Sequence, residues 1–202
     1  MEATSIARRR VRTSRRWRTV DIVVASVIAV AGGVVFWGWD QLWATTSAAF
    51  SGFPPAQAVM YGIWLAPGVI GALIVRKPGA AFYTELVASV VEALLGNQWG
   101  LSVVAYGVAQ GIAPEIVFAI FAYRWWRIPA AALAGAAAGL AAASLDLVYY
   151  YGAWRSDWKF TYVLIVMASS LVIAGIGGAL LVRALARTGA LQPFASGRAS
   201  AV

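Results

Sequence analysis

The sequence contains no cysteine and no histidine, and charged residues make up only 12% of its 202 positions. Without these two side chains the chain forms no disulfide and has neither a thiol nucleophile nor an imidazole acid–base group, and it lacks the usual ligands of zinc and haem. It also contains no P-loop pattern, no G-x-S-x-G sequence and no D-x-x-D array. We therefore expect a protein that is not an enzyme, with no bound metal and no cofactor.

Hydrophobic residues make up 61% of the chain, which leaves too little polar surface for a soluble domain of this length. A helix that crosses a bilayer needs about 20 mainly apolar residues. Such runs predict an all-α integral membrane protein with about six transmembrane helices. We place these helices at residues 21–39, 57–75, 78–96, 101–123, 129–152 and 159–185.

The net charge of +8 is concentrated at the start of the chain, where seven of the sixteen basic residues lie within the first twenty positions. This placement indicates contact with anionic membrane lipids rather than with nucleic acid. If the N-terminus is cytoplasmic, only Arg155 and Lys159 lie outside, as the positive-inside rule requires. We predict a plasma-membrane protein with both termini inside. It comprises a basic segment 1–20, a six-helix domain 21–187 and a cytoplasmic tail 188–202.

Carboxyl groups occur inside the predicted spans, where each costs about 2.5–3.5 kcal/mol near a helix centre. Glu92 and Asp146 are predicted at the same depth, in the outer half of helices three and five. They need a cationic ligand, a proton or several hydrogen bonds. Glu85 lies nearer the cytoplasmic end of its helix, where water could solvate its carboxyl group in place of a ligand. Glu115 follows Pro114, and we expect it to satisfy backbone groups freed by the kink.

Polar and aromatic side chains surround the predicted position of these acids. A small, flat, cationic or protonatable ligand would suit such a pocket, although the membrane-interface belt is an alternative role for each ring. Residues 40–56 form either an interfacial loop or a lid over this pocket. The predicted substrate-binding residues are Glu85, Glu92, Gln98, Trp99, Tyr106, Gln110, Asp146, Tyr150 and Trp154.

Small residues recur every four positions on the first helix, at Ala25, Ala29 and Gly33. Such a face permits close approach of another helix, either within the chain or on a partner protein.

Residues 61–100 contain the turn R-K-P-G-A-A at 76–81, two acids, and L-L-G-N-Q-W-G at 94–100. This stretch resembles the YkoE-type substrate-binding (S) components of energy-coupling factor (ECF) vitamin transporters. Residues 21–39 and the segment L-D-L-V-Y-Y at 145–150 are similar to this family as well. The resemblance covers nearly the whole chain between the basic start and Gly189.

The resemblance implies a six-helix subunit that binds one vitamin or precursor with high affinity near the outer face. It implies as partners a transmembrane coupling subunit and separate cytoplasmic ATPases, with an A-x-x-x-A docking face that Ala25 and Ala29 match. The ligand associated with this type is thiamine or its hydroxymethylpyrimidine precursor. We expect Glu92 or Asp146 to bind the aminopyrimidine edge or to balance the cation. Rings of Trp99, Tyr106, Tyr150 and Trp154 would stack on the ligand, and amides of Gln98 and Gln110 would contact it.

Two other interpretations of the sequence are open. A cation- or proton-coupled carrier that works without an ATPase partner would also place acids in the membrane. An intramembrane enzyme could use Glu92, Asp146 or Glu115 as an acid or base, but no nucleophile, metal set or phosphate cradle accompanies them.

Overall fold

The computed structural model describes residues 15–198, and every regular element within them is helical. The predicted basic segment and tail therefore extend beyond the described residues at 1–14 and 199–202. Six long helical segments follow one another and pack into one bundle, and a short α7 (Ala195–Arg198) comes after them. The six are α1 (Thr19–Thr46), α2 (Pro54–Val75), α3 (Ala80–Leu95), α4 (Ser102–Ile120), α5 (Ile128–Tyr149) and α6 (Ser156–Arg187).

Five of these segments are long and apolar enough to cross a membrane, namely α2, α4, α5, α6 and α1 together with the turn that follows it. The exception is α3, which has 16 residues and carries Glu85 and Glu92. It packs between α1 and α4, and α5 lies between α4 and α6. The all-α membrane fold is confirmed; the count of six crossings stays a prediction.

The first helix is longer than predicted. It runs through Asp40 to Thr46 and continues into a 3₁₀ turn, Ser47–Phe50. The backbone of Trp43 accepts a hydrogen bond of 2.8 Å from the Gln57 side chain, which ties the end of α1 to α2. The connection between these helices is therefore short, and much of the segment 40–56 that was expected to be a loop or a lid is helix.

The small residues of α1 face the interior of the bundle. Ala25 and Ala29 are fully buried, and Gly33 lies so close to α3 that a Cβ atom there would come within 2.6 Å of the Ala88 carbonyl oxygen. This finding corrects the expectation that these three residues dock a partner protein, because α3 of the same chain already covers them. Close packing within the chain is their role in this structure.

Irregular helical turns shape the contact between α2 and α6. The first half of α2, Pro54–Leu65, has 3₁₀ geometry, and α6 contains a π-helical turn at Leu171–Gly177. Ser169, just before this turn, donates a hydrogen bond to the Val59 carbonyl and accepts one from the backbone N–H of Gly62. Backbone groups left without a regular helical partner are satisfied across the helix pair in this way.

Basic residues gather at one end of the bundle, which we call the basic end. They include Arg18, Arg76, Lys77, Arg124 and Arg187. Asp21, at the start of α1, is completely buried and forms ion pairs with Lys77 and Arg18. The Arg18 guanidinium also donates to the Pro193 carbonyl, so the described part of the tail folds back onto this end. There Phe194 is buried beneath Arg18.

Candidate functional site

A cavity of about 210 Å³ opens at the end of the bundle opposite the basic end. Helices α1, α3 and α5 contribute residues near their C-terminal ends, while α2, α4 and α6 contribute residues from their N-terminal halves, as in an antiparallel bundle. Aromatic rings and carboxyl or amide groups line it. The lining residues are Phe36, Trp43, Tyr61, Trp64, Glu92, Trp99, Ser102, Val103, Tyr106, Gln110, Asp146, Tyr150, Tyr151 and Tyr162.

Asp146 is held on one side of the cavity by tyrosine hydroxyls. Tyr106 donates a hydrogen bond of 2.8 Å to Oδ1, and Tyr162 donates one of 2.7 Å to Oδ2. The carboxyl group is buried among these rings, with only 5% of the residue exposed. Hydroxyl donors on both oxygens, with the Tyr61 hydroxyl as a third hydrogen-bond partner of the group, replace much of the hydration that it loses by burial.

Glu92 and Asp40 form a second acidic group on the opposite side, between α3 and α1. Glu92 lines the cavity, and the Asp40 carboxyl lies beside it and behind the cavity wall. Trp64 donates a hydrogen bond of 2.9 Å from its indole Nε1 to Oδ1 of Asp40. The other oxygen, Oδ2, is buried, and the carboxyl groups of Asp40 and Glu92 share a hydrogen bond.

Aromatic rings form a continuous wall next to this acidic pair. The ring centroids of Trp43 and Trp64 are 5.2 Å apart, those of Tyr61 and Trp64 are 5.4 Å apart, and those of Trp64 and Trp99 are 5.9 Å apart. All three pairs meet edge to face. This arrangement leaves ring faces available to a flat ligand.

The structure brings six of the nine predicted substrate-binding residues to the cavity, namely Glu92, Trp99, Tyr106, Gln110, Asp146 and Tyr150. Glu85 is elsewhere: it is buried between α2 and α3, where one oxygen accepts a hydrogen bond of 2.7 Å from the backbone of Gly68. Gln98 is exposed on the loop between α3 and α4. The prediction that Glu85 and Gln98 lie in the pocket is therefore wrong.

Trp154 lies behind the cavity wall instead of in it. Its ring stacks on Tyr151 with the centroids 4.0 Å apart and meets Tyr162 edge to face. Both tyrosines line the cavity, so Trp154 supports them and does not face the ligand space. Burial raises the pKa of Tyr151 to about 12, and its hydroxyl stays neutral at physiological pH.

The sequence did not identify several residues of this site. Asp40 and Trp43 were assigned to a loop. Phe36, Asp40 and Trp43 are nevertheless four and three residues apart, which is the spacing of one face of a longer α1. Tyr61 and Trp64 lie in an apolar stretch in which no polar residue singled them out. Tyr162 gave no signal of its own.

Glu115 acts at the basic end, far along α4 from the cavity. Its carboxylate accepts hydrogen bonds from the backbone N–H groups of Gly79 and Ala81, at 2.6 and 3.0 Å, where α3 begins. Tyr123 donates a further hydrogen bond of 2.8 Å. Glu115 therefore satisfies backbone groups at the start of α3, and the prediction that it serves groups freed by a kink in α4 is wrong.

Comparison with known proteins identifies the family. Residues 20–141 match the family described as "ABC-type cobalt transport system, permease component". The chain is 34% identical over 185 residues to the "Putative HMP/thiamine permease protein YkoE" of Bacillus subtilis (strain 168), covering 91% of this chain and 92% of that protein. This chain belongs to the YkoE-type S components of ECF transporters. The solved structure titled "Crystal structure of an S-component of ECF transporter" superposes with a TM-score of 0.86 at 33% identity, covering 91% of this chain and 92% of the other.

Membership in this family makes the YkoE-type chain a multi-pass membrane component of a transport system, and its relatives are transport proteins and not enzymes. The family description names cobalt as a transported metal. Within residues 15–198, no cluster of three or more Asp, Glu, His or Cys side chains could hold a metal ion.

Proposed function

We propose that this chain is the high-affinity substrate-binding subunit of an ECF-type importer that takes up thiamine or its hydroxymethylpyrimidine precursor. The observation that carries the proposal is the cavity itself, in which aromatic rings and two separate acidic groups surround about 210 Å³. An aminopyrimidine is flat and offers hydrogen-bond donors and acceptors along its edge, and a thiazolium carries a positive charge. Aromatic rings can stack on the flat aminopyrimidine. Carboxyl groups can hydrogen-bond to its edge and can balance the positive charge of the thiazolium.

Transport by such a subunit requires other proteins, because this chain has no nucleotide-binding motif. In this proposal a transmembrane coupling subunit and cytoplasmic ATPases supply the energy, and the chain supplies the ligand. Both termini lie on the cytoplasmic side, so the cavity faces outward. The positions of Arg18, Arg76, Lys77, Arg124 and Arg187 at the basic end support this orientation through the positive-inside rule.

The test is a binding titration of the purified chain in detergent with thiamine, hydroxymethylpyrimidine, riboflavin and biotin. Trp43, Trp64 and Trp99 line the cavity, so a ligand that stacks there will quench tryptophan fluorescence. We expect saturable quenching by thiamine or by hydroxymethylpyrimidine, with riboflavin and biotin inactive. The matched variant Trp99→Phe should bind the same ligand with a smaller fluorescence change than the wild-type chain. Such a difference would show that part of the quenching comes from Trp99 in the cavity.

Reconstitution separates this proposal from a solitary carrier. Uptake into proteoliposomes should require the coupling subunit, the ATPases and ATP. Uptake by this chain alone, abolished by an uncoupler, would contradict the proposal and establish a cation- or proton-coupled carrier. Absence of binding by folded protein to any of the four compounds would also contradict it.

A further inference from the structure

We propose that the turn between α4 and α5, at the basic end, binds the phosphate headgroup of an anionic membrane lipid. Arg15, Arg124 and Arg127 supply the positive charge, and the exposed apolar face of α4 receives an acyl chain. A headgroup held there joins the N-terminal segment to this turn. The site lies at the end of the bundle opposite the cavity, so the inference goes beyond the proposed function and does not depend on the ligand that the cavity takes.

The backbone of this turn has a rare conformation. Ala122 and Tyr123 have φ angles of 50° and 56°, in the left-handed region that residues with a side chain seldom adopt. The backbone N–H of Tyr123 donates a hydrogen bond of 2.9 Å to the Phe118 carbonyl, and its hydroxyl donates one of 2.8 Å to Glu115. These bonds hold the turn in one shape. Arg124, the next residue, is exposed.

The N-terminal segment adds a second guanidinium to the same turn. Arg15 donates a hydrogen bond of 3.1 Å from Nη2 to the Ala122 carbonyl, and its guanidinium carbon lies 5.9 Å from the centroid of the Tyr123 ring. A carbonyl and a ring orient the guanidinium but do not neutralise its charge. Arg127, at the start of α5, is the third exposed arginine here.

The acids near the turn are already engaged elsewhere. Among residues 15–198, the acids at the basic end are Asp21 and Glu115. Asp21 pairs with Arg18 and Lys77, and both oxygens of Glu115 accept hydrogen bonds from the start of α3. The ion pairs of the described residues include none of the three arginines of the turn. Guanidinium groups in this state favour a phosphate, whose oxygens accept charge-assisted hydrogen bonds.

Two tryptophans between Arg124 and Arg127 indicate the depth of the turn in the membrane. Trp125 meets Phe121 edge to face with the ring centroids 4.6 Å apart, and Trp126 stacks on Phe118 at 4.8 Å. Both tryptophans are half-buried. Tryptophan is enriched at the level of the lipid headgroups, so the arginines beside these rings lie within reach of lipid phosphates.

The outer face of α4 distinguishes a lipid from a free phosphate. Exposed branched apolar residues recur there every four positions and so form one stripe along the helix. They are Val108, Ile112, Ile116 and Ile120. The stripe ends one turn before Arg124, and exposure of these residues increases toward that end. An acyl chain on this stripe places its headgroup at the arginines, whereas a free anion gains nothing from it.

The experiment counts lipids bound to the purified chain by native mass spectrometry. Phosphatidylglycerol and phosphatidylcholine with identical acyl chains are compared at equal concentrations. The test variant is Arg124→Gln with Arg127→Gln. Its matched control is Arg183→Gln with Arg187→Gln, which removes the same charge from two exposed arginines of α6 near the same end. The wild-type chain should bind its first phosphatidylglycerol about thirtyfold more tightly than phosphatidylcholine.

The test variant should reduce this preference to about threefold or less, and the control should change it by less than about twofold. Equal wild-type binding of the two lipids would overturn the inference, even if no variant folds. An equal loss in the control would also overturn it, because the charge of the whole basic end would then attract lipids without a defined site. Displacement of phosphatidylglycerol by millimolar inorganic phosphate would contradict the lipid assignment and identify a site for a free anion.

Discussion

The hydroxyl of Tyr162 lies 2.7 Å from Oδ2 of Asp146 and donates a hydrogen bond to it from the neighbouring helix α6. Tyr162 is the largest of the almost fully buried side chains among the described residues, with 1% of its surface exposed. The bond joins α5 to α6 at the depth of the cavity. It therefore connects the stability of the bundle with the shape of the candidate site.

Replacing Tyr162 with phenylalanine should destabilise the protein by about 1–3 kcal/mol, because one buried oxygen of Asp146 loses its donor. Thermal unfolding in detergent, followed by circular dichroism, measures this effect. Tyr149→Phe is the control, because Tyr149 is 65% exposed. This variant should unfold at the wild-type temperature. Equal unfolding temperatures for the two variants would show that this hydrogen bond contributes nothing.

Replacing Gly33 and Gly38 on α1 with alanine should change the stability of the protein in opposite directions. At Gly33 a methyl group meets the Ala88 carbonyl oxygen and the Val91 side chain at 2.6 Å, so α1 and α3 must separate. At Gly38 nothing lies within 4 Å, and alanine gains about 0.5–1 kcal/mol of helix propensity. Thermal unfolding of both variants tests the inward-facing orientation of the small-residue stripe. A more stable Gly33→Ala variant would contradict it.

Lys77 should matter far more than a surface cation. Its Nζ atom pairs with the fully buried Asp21 and donates a hydrogen bond of 2.6 Å to the Arg16 carbonyl. Lys77→Met leaves Asp21 with Arg18 as its ion-pair partner and should cost about 2–3 kcal/mol.

The matched control for Lys77→Met is Arg155→Met, which breaks the exposed Arg155–Asp157 pair. Its cost should stay within about 1 kcal/mol. Both are measured by unfolding in detergent, and similar losses in the two variants would contradict the structural role of Lys77.

The proposed orientation can be tested by cysteine labelling, because the chain has no cysteine of its own. Asp157, at the start of α6, and Thr188, just beyond its end, are both exposed. In intact cells a membrane-impermeant maleimide should label Asp157→Cys and leave Thr188→Cys unlabelled until the membrane is opened. The reverse labelling pattern would place the cavity on the cytoplasmic side and contradict the assignment of both termini.

Much of the fold and about half of the candidate site could be predicted from the sequence. Glu92 and Asp146 stood out because an acid in an apolar run needs a partner. Their shared depth followed from counting residues along two helices that run in the same direction, and both line the cavity.

The errors have two physical causes. The exact end of α1 depends on tertiary contacts such as Gln57 with Trp43, so Asp40 was assigned to a loop. Side-chain direction in the loops is set by local turns, as where the Asn97 side chain accepts a hydrogen bond from the backbone of Trp99, and Gln98 points away from the cavity. Such contacts leave no periodic signal in the sequence.

The affinity of the double variant Glu92→Gln with Asp146→Asn for thiamine tests directly whether the ligand binds through the acids on the two sides of the cavity. Both changes preserve side-chain shape, and circular dichroism and unfolding temperature establish that the variant is folded. We predict a loss of affinity of about a hundredfold or more, because each side of the cavity loses its carboxylate. A loss of less than about tenfold in folded protein would mean that the ligand does not bind through these acids.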